Sequence, residues 1–280
     1  MKIYENERFG EERALYAADG VRLVSCAFDG IEDGESALKE GRNIVCDGVF
    51  FNLRYPLWHD SGVLMENCEM TELCRAALWY SENIDVRSSK LHGIKALREC
   101  RDIRIAGCNV KSLEFGWFSH NIDIESTSFE GEYFMLRATH LNMRNSSLKG
   151  KYSFQYIENS VFENCNLDTK DAFWHAKNIV VKNSVVKGEY LAWYSENITF
   201  ENCTIIGTQP LCYCKGLKLI NCEMIDCDLS FEKSEVEADI VGQITSVKNV
   251  YAGYVRADDI GQIINDDERA LGKVEIREKV

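Results

Sequence analysis

Apolar and polar residues alternate in short segments along this chain, and the alternation returns at a fixed interval. Residues 177–195 read KNIVVKNSVVKGEYLAWYS, 196–214 read ENITFENCTIIGTQPLCYC and 215–233 read KGLKLINCEMIDCDLSFEK. Each block is 19 residues long and opens on Asn or Gly at its second position (Asn178, Asn197, Gly216), followed by two apolar residues with one spacer between them. Equivalent positions run back through Asn159, His140, Asn121, Asp102 and Asn83, with Gly62 and Asn43 fitting after a short insertion near 71–75, and the earliest coil, near Gly20–Gly30, carries a longer insertion at 32–41. Period-two alternation predicts half-buried strands, and a repeat of about 20 residues predicts one solenoid coil per repeat. The expected fold is all-β: a single-stranded right-handed parallel β-helix of about eleven coils.

Vertical columns follow from the repeat. Ile84 and Val86, Ile103 and Ile105, Ile122 and Ile124, Ile179 and Val181, and Ile198 and Phe200 should line the interior. Leu91, Val110, Phe129, Leu148, Leu167, Val186, Ile205 and Met224 should form a second inward column. Asn67, Asn145, Asn164, Asn183, Asn202 and Asn221 mark a turn, because Asn tolerates positive φ and its amide can bond the same group one coil away. Outward columns such as Lys111, Glu130, Lys149, Asp168, Lys187 alternate in sign, which favours one register. The expected organisation is one domain: residues 1–19 as an N-terminal cap, 20–234 as regular coils, and 235–280 as irregular last coils with a C-terminal cap.

Repeats of the form N-I-x-I-x-N-C-x-I-x-G resemble the right-handed parallel β-helix of the pectin-lyase-like superfamily. With its ERALY start and its SVKN…AGYVRADDIGQII end, the chain is similar to one bacterial family of such β-helices of unknown function. The resemblance implies a fold more than an activity, because this architecture hosts lyases, hydrolases, isomerases and inert stalks. The paired aspartates, Gly-His-Gly and Arg-Ile-Lys of the polygalacturonate hydrolases are absent. Leu91-His92-Gly93 is the nearest approach, and Arg104 is followed by Ile105-Ala106.

Composition narrows the partners. A net charge of −13 argues against nucleic acid and anionic membrane, which require a basic footprint. No run approaches a membrane span, and Met1-Lys2 leads into YENERFGEERALY rather than an apolar signal core. Twelve cysteines without an export signal suggest reduced thiols and a cytoplasmic location. Cys26, Cys68, Cys108, Cys165, Cys203 and Cys222 share a column with Ser89, Ser146 and Ser184, the pattern of small buried residues. Cys212, Cys214, Cys222 and Cys227 lack paired-knuckle spacing, so neither a metal nor a cofactor is expected.

Candidate chemistry gathers at the coil ends. Trp58, Trp79, Trp117, Trp174 and Trp193 occupy one column, followed by His59, Tyr80, Phe118, His175 and Tyr194, with Glu99, Arg137 and Tyr156 on intervening coils. Tyr133, Tyr152, Asp171 and Tyr190 form a further column. Aromatic rings with neighbouring polar groups suit a carbohydrate or a glycan-derived ligand. Should chemistry occur there, Asp171 or His175 would act as general base and Arg137 would stabilise developing negative charge. Aromatic stacking also stabilises stacked strands by itself, so a non-catalytic scaffold that meets a protein partner or another copy of the chain stands as the alternative.

Overall fold

The computed structural model describes residues 1–30 and 34–278, and among them strands alternate with turns, bends and short irregular links, with no helix. The chain divides into two units, residues 1–141 and 142–280. Each is a parallel solenoid. In the first unit seven long strands stack in sequence: Lys2–Glu5, Asp19–Val24, Arg42–Asp47, Ser61–Glu66, Glu82–Arg87, Arg101–Ala106 and His120–Glu125. In the second unit seven stack likewise: Glu158–Glu163, Lys177–Lys182, Glu196–Glu201, Leu217–Ile225, Glu235–Val241, Ala252–Ala257 and Lys273–Ile276.

The register follows the expected period. Glu82 pairs with Arg101 and Arg101 with His120, offsets of 19. Insertions lengthen particular coils: Ser61 pairs with Glu82, 21 residues on, and Asp19 with Arg42, 23 residues on. The second of these insertions, placed at 32–41, begins outside the described residues.

The number of coils exceeds the expected eleven, because the ends also contribute rungs. Lys2–Glu5 pairs with Val21–Val24 although its alternation is too short to stand out. Near the other end the register shifts between Ile220 and Cys222, and Glu235 then pairs with Ala252, an offset of only 17. A shortened coil breaks the sequence period without ending the ladder.

The interior is filled by the expected columns. Ile84, Val86, Ile103, Ile105, Ile179, Val181, Ile198 and Phe200 are buried, as are Leu91, Val110, Leu167, Val186 and Ile205. Phenylalanines stack beside them: Phe9 on Phe28 and Phe28 on Phe51 with centroids 5.1 and 5.2 Å apart, and Phe154 on Phe173 at 5.1 Å. The Asn positions have φ near +50°, a left-handed kink that splits or ends each strand. Asn178 donates to Asn159 Oδ1 at 2.9 Å and accepts from Asn197 Nδ2 at 3.2 Å, so the kinks are tied from coil to coil. Asn221, Asn202 and Asn183 form a second such ladder. Outside, the alternating charges pair across rungs, as in Lys111–Glu130, Lys187–Asp168 and Lys182–Glu201.

All twelve cysteines are free and buried. Most of their thiols donate to carbonyls of the preceding coil, as Cys203 does to Val181 and Cys222 to Phe200, both at 3.4 Å. No group of described residues is arranged to hold a metal ion. No helix among them is long and apolar enough to cross a membrane.

Candidate functional site

Every residue of the two outermost coil-end columns sits at a left-handed corner. Tyr80, Glu99, Phe118, Tyr156, His175 and Tyr194 have φ between 51 and 61°, and Tyr133, Tyr152, Asp171 and Tyr190 between 54 and 59°. Such corners leave carbonyl groups for which the strand ladders supply no donor. The indoles supply one. Trp79 Nε1 donates to the Lys95 carbonyl at 2.7 Å, Trp117 to Tyr133 at 2.5 Å, Trp174 to Tyr190 at 2.6 Å and Trp193 to Gln209 at 2.7 Å. Each acceptor lies 16 residues ahead. Trp58 bonds Ala76 across the insertion at 2.5 Å, and Gln155 takes the indole's part by donating to the Asp171 carbonyl at 3.5 Å. The tryptophans are therefore half-buried fasteners whose N–H groups are already committed.

Stacking also decides which ring faces meet solvent. In the second unit His175 lies between Tyr156 and Tyr194, with centroids 4.8 and 5.1 Å away, and Tyr194 continues onto Tyr213 at 4.8 Å. Trp174 stacks on Trp193 at 5.5 Å. Both faces of His175 and of Tyr194 are covered by neighbours, so these rings present edges outward. A sugar packs its C–H surface on a ring face, which this part of the stripe does not offer.

The first unit differs. Trp58 stacks on Trp79 at 5.2 Å, and His59 on Tyr80 at 5.0 Å. On the next coil Arg98 and Glu99 replace the two rings. The Arg98 guanidinium fills the indole slot, 5.1 Å from the Trp79 centroid and 5.4 Å from that of Trp117. Glu99 turns toward it, with Oε1 3.3 Å from Arg98 Nε. The ring position between Tyr80 and Phe118 is left open.

An open groove of about 750 Å³ lies there, lined by Tyr80, Glu82, Arg98, Glu99, Arg101, Phe118 and His120, with Ser81 and Cys100 at its base. Arg101 pairs with Glu82, and this bond, with a second from Ser61 at 3.1 Å, holds the Glu82 carboxyl below its ordinary pKa. His120 Nδ1 is 2.8 Å from Thr139 Oγ1.

The residues expected to act in catalysis are not gathered in one unit. Arg137 belongs to the first unit and is exposed, whereas Asp171 and His175 belong to the second. Asp171 is only 5% exposed, and burial raises its carboxyl pKa. Its side chain shares no hydrogen bond with the stacked His175 among the described residues. Tyr133 and Tyr190 lie beside the indole column, Tyr133 meeting Trp117 edge-on at 6.5 Å and Tyr190 meeting Trp193 at 5.2 Å, and Tyr152 is half-buried at the equivalent left-handed corner.

The sequence places Glu99 and Phe118 in the second coil-end column without marking them as ligand-binding residues, and it does not mark Arg98, Glu82, Arg101 or His120 either. The signal for Arg98 and Glu99 was present as a break in the aromatic columns, which reads as a lost ring and is in space an opening. One coil earlier the inward column carries Asp60 where Ser81, Cys100 and Ser119 follow. Asp60 Oδ1 accepts the Gly41 N–H at 2.8 Å, Oδ2 is buried without a partner, and burial pushes the carboxyl up to about 8.

Fold and columns together define a parallel β-helix whose coil ends are closed by aromatic ladders. The chain belongs to the family described as protein of unknown function (DUF3737), whose model matches residues 2–277. No curated protein matches it in sequence. Among solved structures it is similar to the catalytic domain of a GH87 alpha-1,3-glucanase in complex with tetrasaccharides, at 8% identity and a TM-score of 0.45 over 93% of this chain. The chain spans 64% of that glucanase chain. It is also similar to the periplasmic alginate epimerase AlgG, at 8% identity and a TM-score of 0.26, covering 99% of this chain and 72% of the epimerase.

Proposed function

We propose that this protein binds a carbohydrate or glycan-derived ligand at the coil-end aromatic face, in the groove between Tyr80 and Phe118. The observation that carries the reading is the interrupted ladder. The Tyr80 and Phe118 rings line one opening, the Arg98 guanidinium lies over the Phe118 ring, and the rim supplies carboxylate acceptors and guanidinium donors, the combination that orients hydroxyls over an apolar surface. The continuous ladder of the second unit supports the other reading for that part of the chain. There the ring faces are spent on one another and the indole N–H groups on backbone, as reinforcement of the coil ends requires.

A glycan array probed with the full chain tests the proposal. Wild type should bind at least one class of saccharide, and Tyr80→Ala and Phe118→Ala should each weaken that binding by at least about tenfold, equivalent to about 1.4 kcal/mol. Trp174→Ala and Trp193→Ala should leave it within about twofold. Absence of binding to any saccharide, or binding lost in the tryptophan variants and kept in the other two, would sink the proposal.

A further inference from the structure

The dimensions and charge of the opening say more about what enters it, given the carbohydrate reading on which this step rests. We infer that the groove takes a single neutral pyranose, a free monosaccharide or the end residue of a glycan, inserted edge-first between Tyr80 and Phe118.

Thickness comes first. Tyr80 and Phe118 stand on coils two rungs apart, so their rings are separated by about 9.5 Å at the usual strand spacing. Apolar contacts of about 3.5–4.0 Å on both faces of a guest account for about 7–8 Å of that distance. A chair-shaped ring, puckered and carrying axial hydrogens, fills the remainder. The ladder elsewhere shows that two such walls accept a ring guest: His175 lies between Tyr156 and Tyr194.

Charge comes second. The groove holds two carboxylates and two guanidiniums, and each carboxylate is already paired with a guanidinium of the same groove, Glu99 with Arg98 and Glu82 with Arg101. An anionic or cationic sugar would have to break one of these pairs or bring a charge without a partner. Hydroxyls need neither, because each carboxylate keeps lone pairs and each guanidinium keeps N–H groups beyond those used in its pair.

Direction comes third. Ring faces bound the slot on two sides, and Arg98, held among Trp79, Trp117 and Phe118, closes the back. A ring lying parallel to its two walls has its substituents in the plane of the slot, where one side faces Arg98 and the other faces out. A chain attached at one carbon leaves outward, whereas an internal residue, linked on both sides, has no exit at the back. A polymer lying along the coil stack, the geometry suggested by the aromatic columns alone, does not use this slot.

The decisive variant is Glu99→Tyr. It restores a ring at a position whose left-handed backbone (φ 51°) matches that of Tyr80 and Phe118, so it should fold and unfold at or above the wild-type temperature while closing the slot. Calorimetric titration of wild type should show a neutral hexose displacing a bound glycan, with affinity for oligomers of that sugar unchanged within about threefold as the chain lengthens. The corresponding uronic acid and 2-amino sugar should bind at least about tenfold more weakly. Glu99→Tyr should abolish binding of all of them.

Affinity that climbs with chain length, equal binding of a charged sugar, or binding retained in a folded Glu99→Tyr protein would overturn the inference and leave the broader carbohydrate reading in place. Failure of wild type to bind any saccharide would remove both.

Discussion

Trp174 donates its indole N–H to the backbone carbonyl of Tyr190, one coil ahead, at 2.6 Å. The same offset of 16 recurs at Trp79, Trp117 and Trp193, and Gln155 reproduces it with a side-chain amide. Losing the donor while keeping a ring should therefore be costly. Trp174→Phe is expected to destabilise by about 1–2 kcal/mol, the cost of leaving a partly buried carbonyl unpaired, and Trp174→Ala by about 3–5 kcal/mol because the stack on Trp193 goes as well. Melting temperatures of the two variants would check this. Equal melting of Trp174→Phe and wild type would show that water satisfies the carbonyl.

Asp60 should make stability depend on pH. Its folded-state carboxyl is raised to about 8, above the value of about 3.9 expected when unfolded. The stabilising contribution is therefore complete below about pH 4 and is lost as pH rises through about 8. The full shift is equivalent to an upper bound of about 5–6 kcal/mol. Asp60→Asn keeps an acceptor for the Gly41 N–H and has nothing to ionise. Wild type should melt progressively lower between pH 5 and 8, while the variant loses little. Parallel pH profiles for the two proteins would contradict the assignment.

The Asn ladder separates backbone conformation from hydrogen bonding. Asn178 has φ of 55° and bonds both Asn159 and Asn197. Asn178→Ala should cost about 1–3 kcal/mol through the left-handed backbone, plus about 1 kcal/mol for the lost amide bonds. Asn178→Gly should cost only the second part. Thermal melts that rank glycine below alanine would show that the kink is not the controlling feature.

Cysteine reactivity offers a simple check of burial. All twelve thiols are buried, so a thiol-reactive dye should label the native protein negligibly and all twelve sites after denaturation. Cys203→Ser should cost less than about 1.5 kcal/mol, since Ser184 takes the neighbouring rung of that column and donates to Lys182 at 2.6 Å. Rapid labelling under native conditions would mean that the coils open locally far more often than their packing suggests.

Repetition made most of the fold legible. A pattern that returns 19 residues later states which side chains will lie above one another, and Ile103 over Ile84 or Ile198 over Ile179 follow directly. The first rung was not legible, because Lys2–Glu5 has too few alternating positions and reads as part of a cap, whereas the 17-residue coil after Glu235 falls in the stretch that reads as irregular last coils. The aromatic columns were legible as columns. Their role was not, because a sequence places Trp174 and His175 on a corner without saying which faces their neighbours cover.

Sequence alone determined the solenoid, the interior columns, the Asn kinks and the alternating charge rows, since each depends only on residue type and a fixed spacing. Tertiary structure decided where a ligand could touch the aromatic stripe. Indoles that look available along the chain spend their N–H groups on the next coil, and rings in an unbroken stack hide each other's faces. Where Arg98 and Glu99 interrupt the stack, Tyr80 and Phe118 line an open groove. That vacancy exists between coils, where no single stretch of sequence can show it.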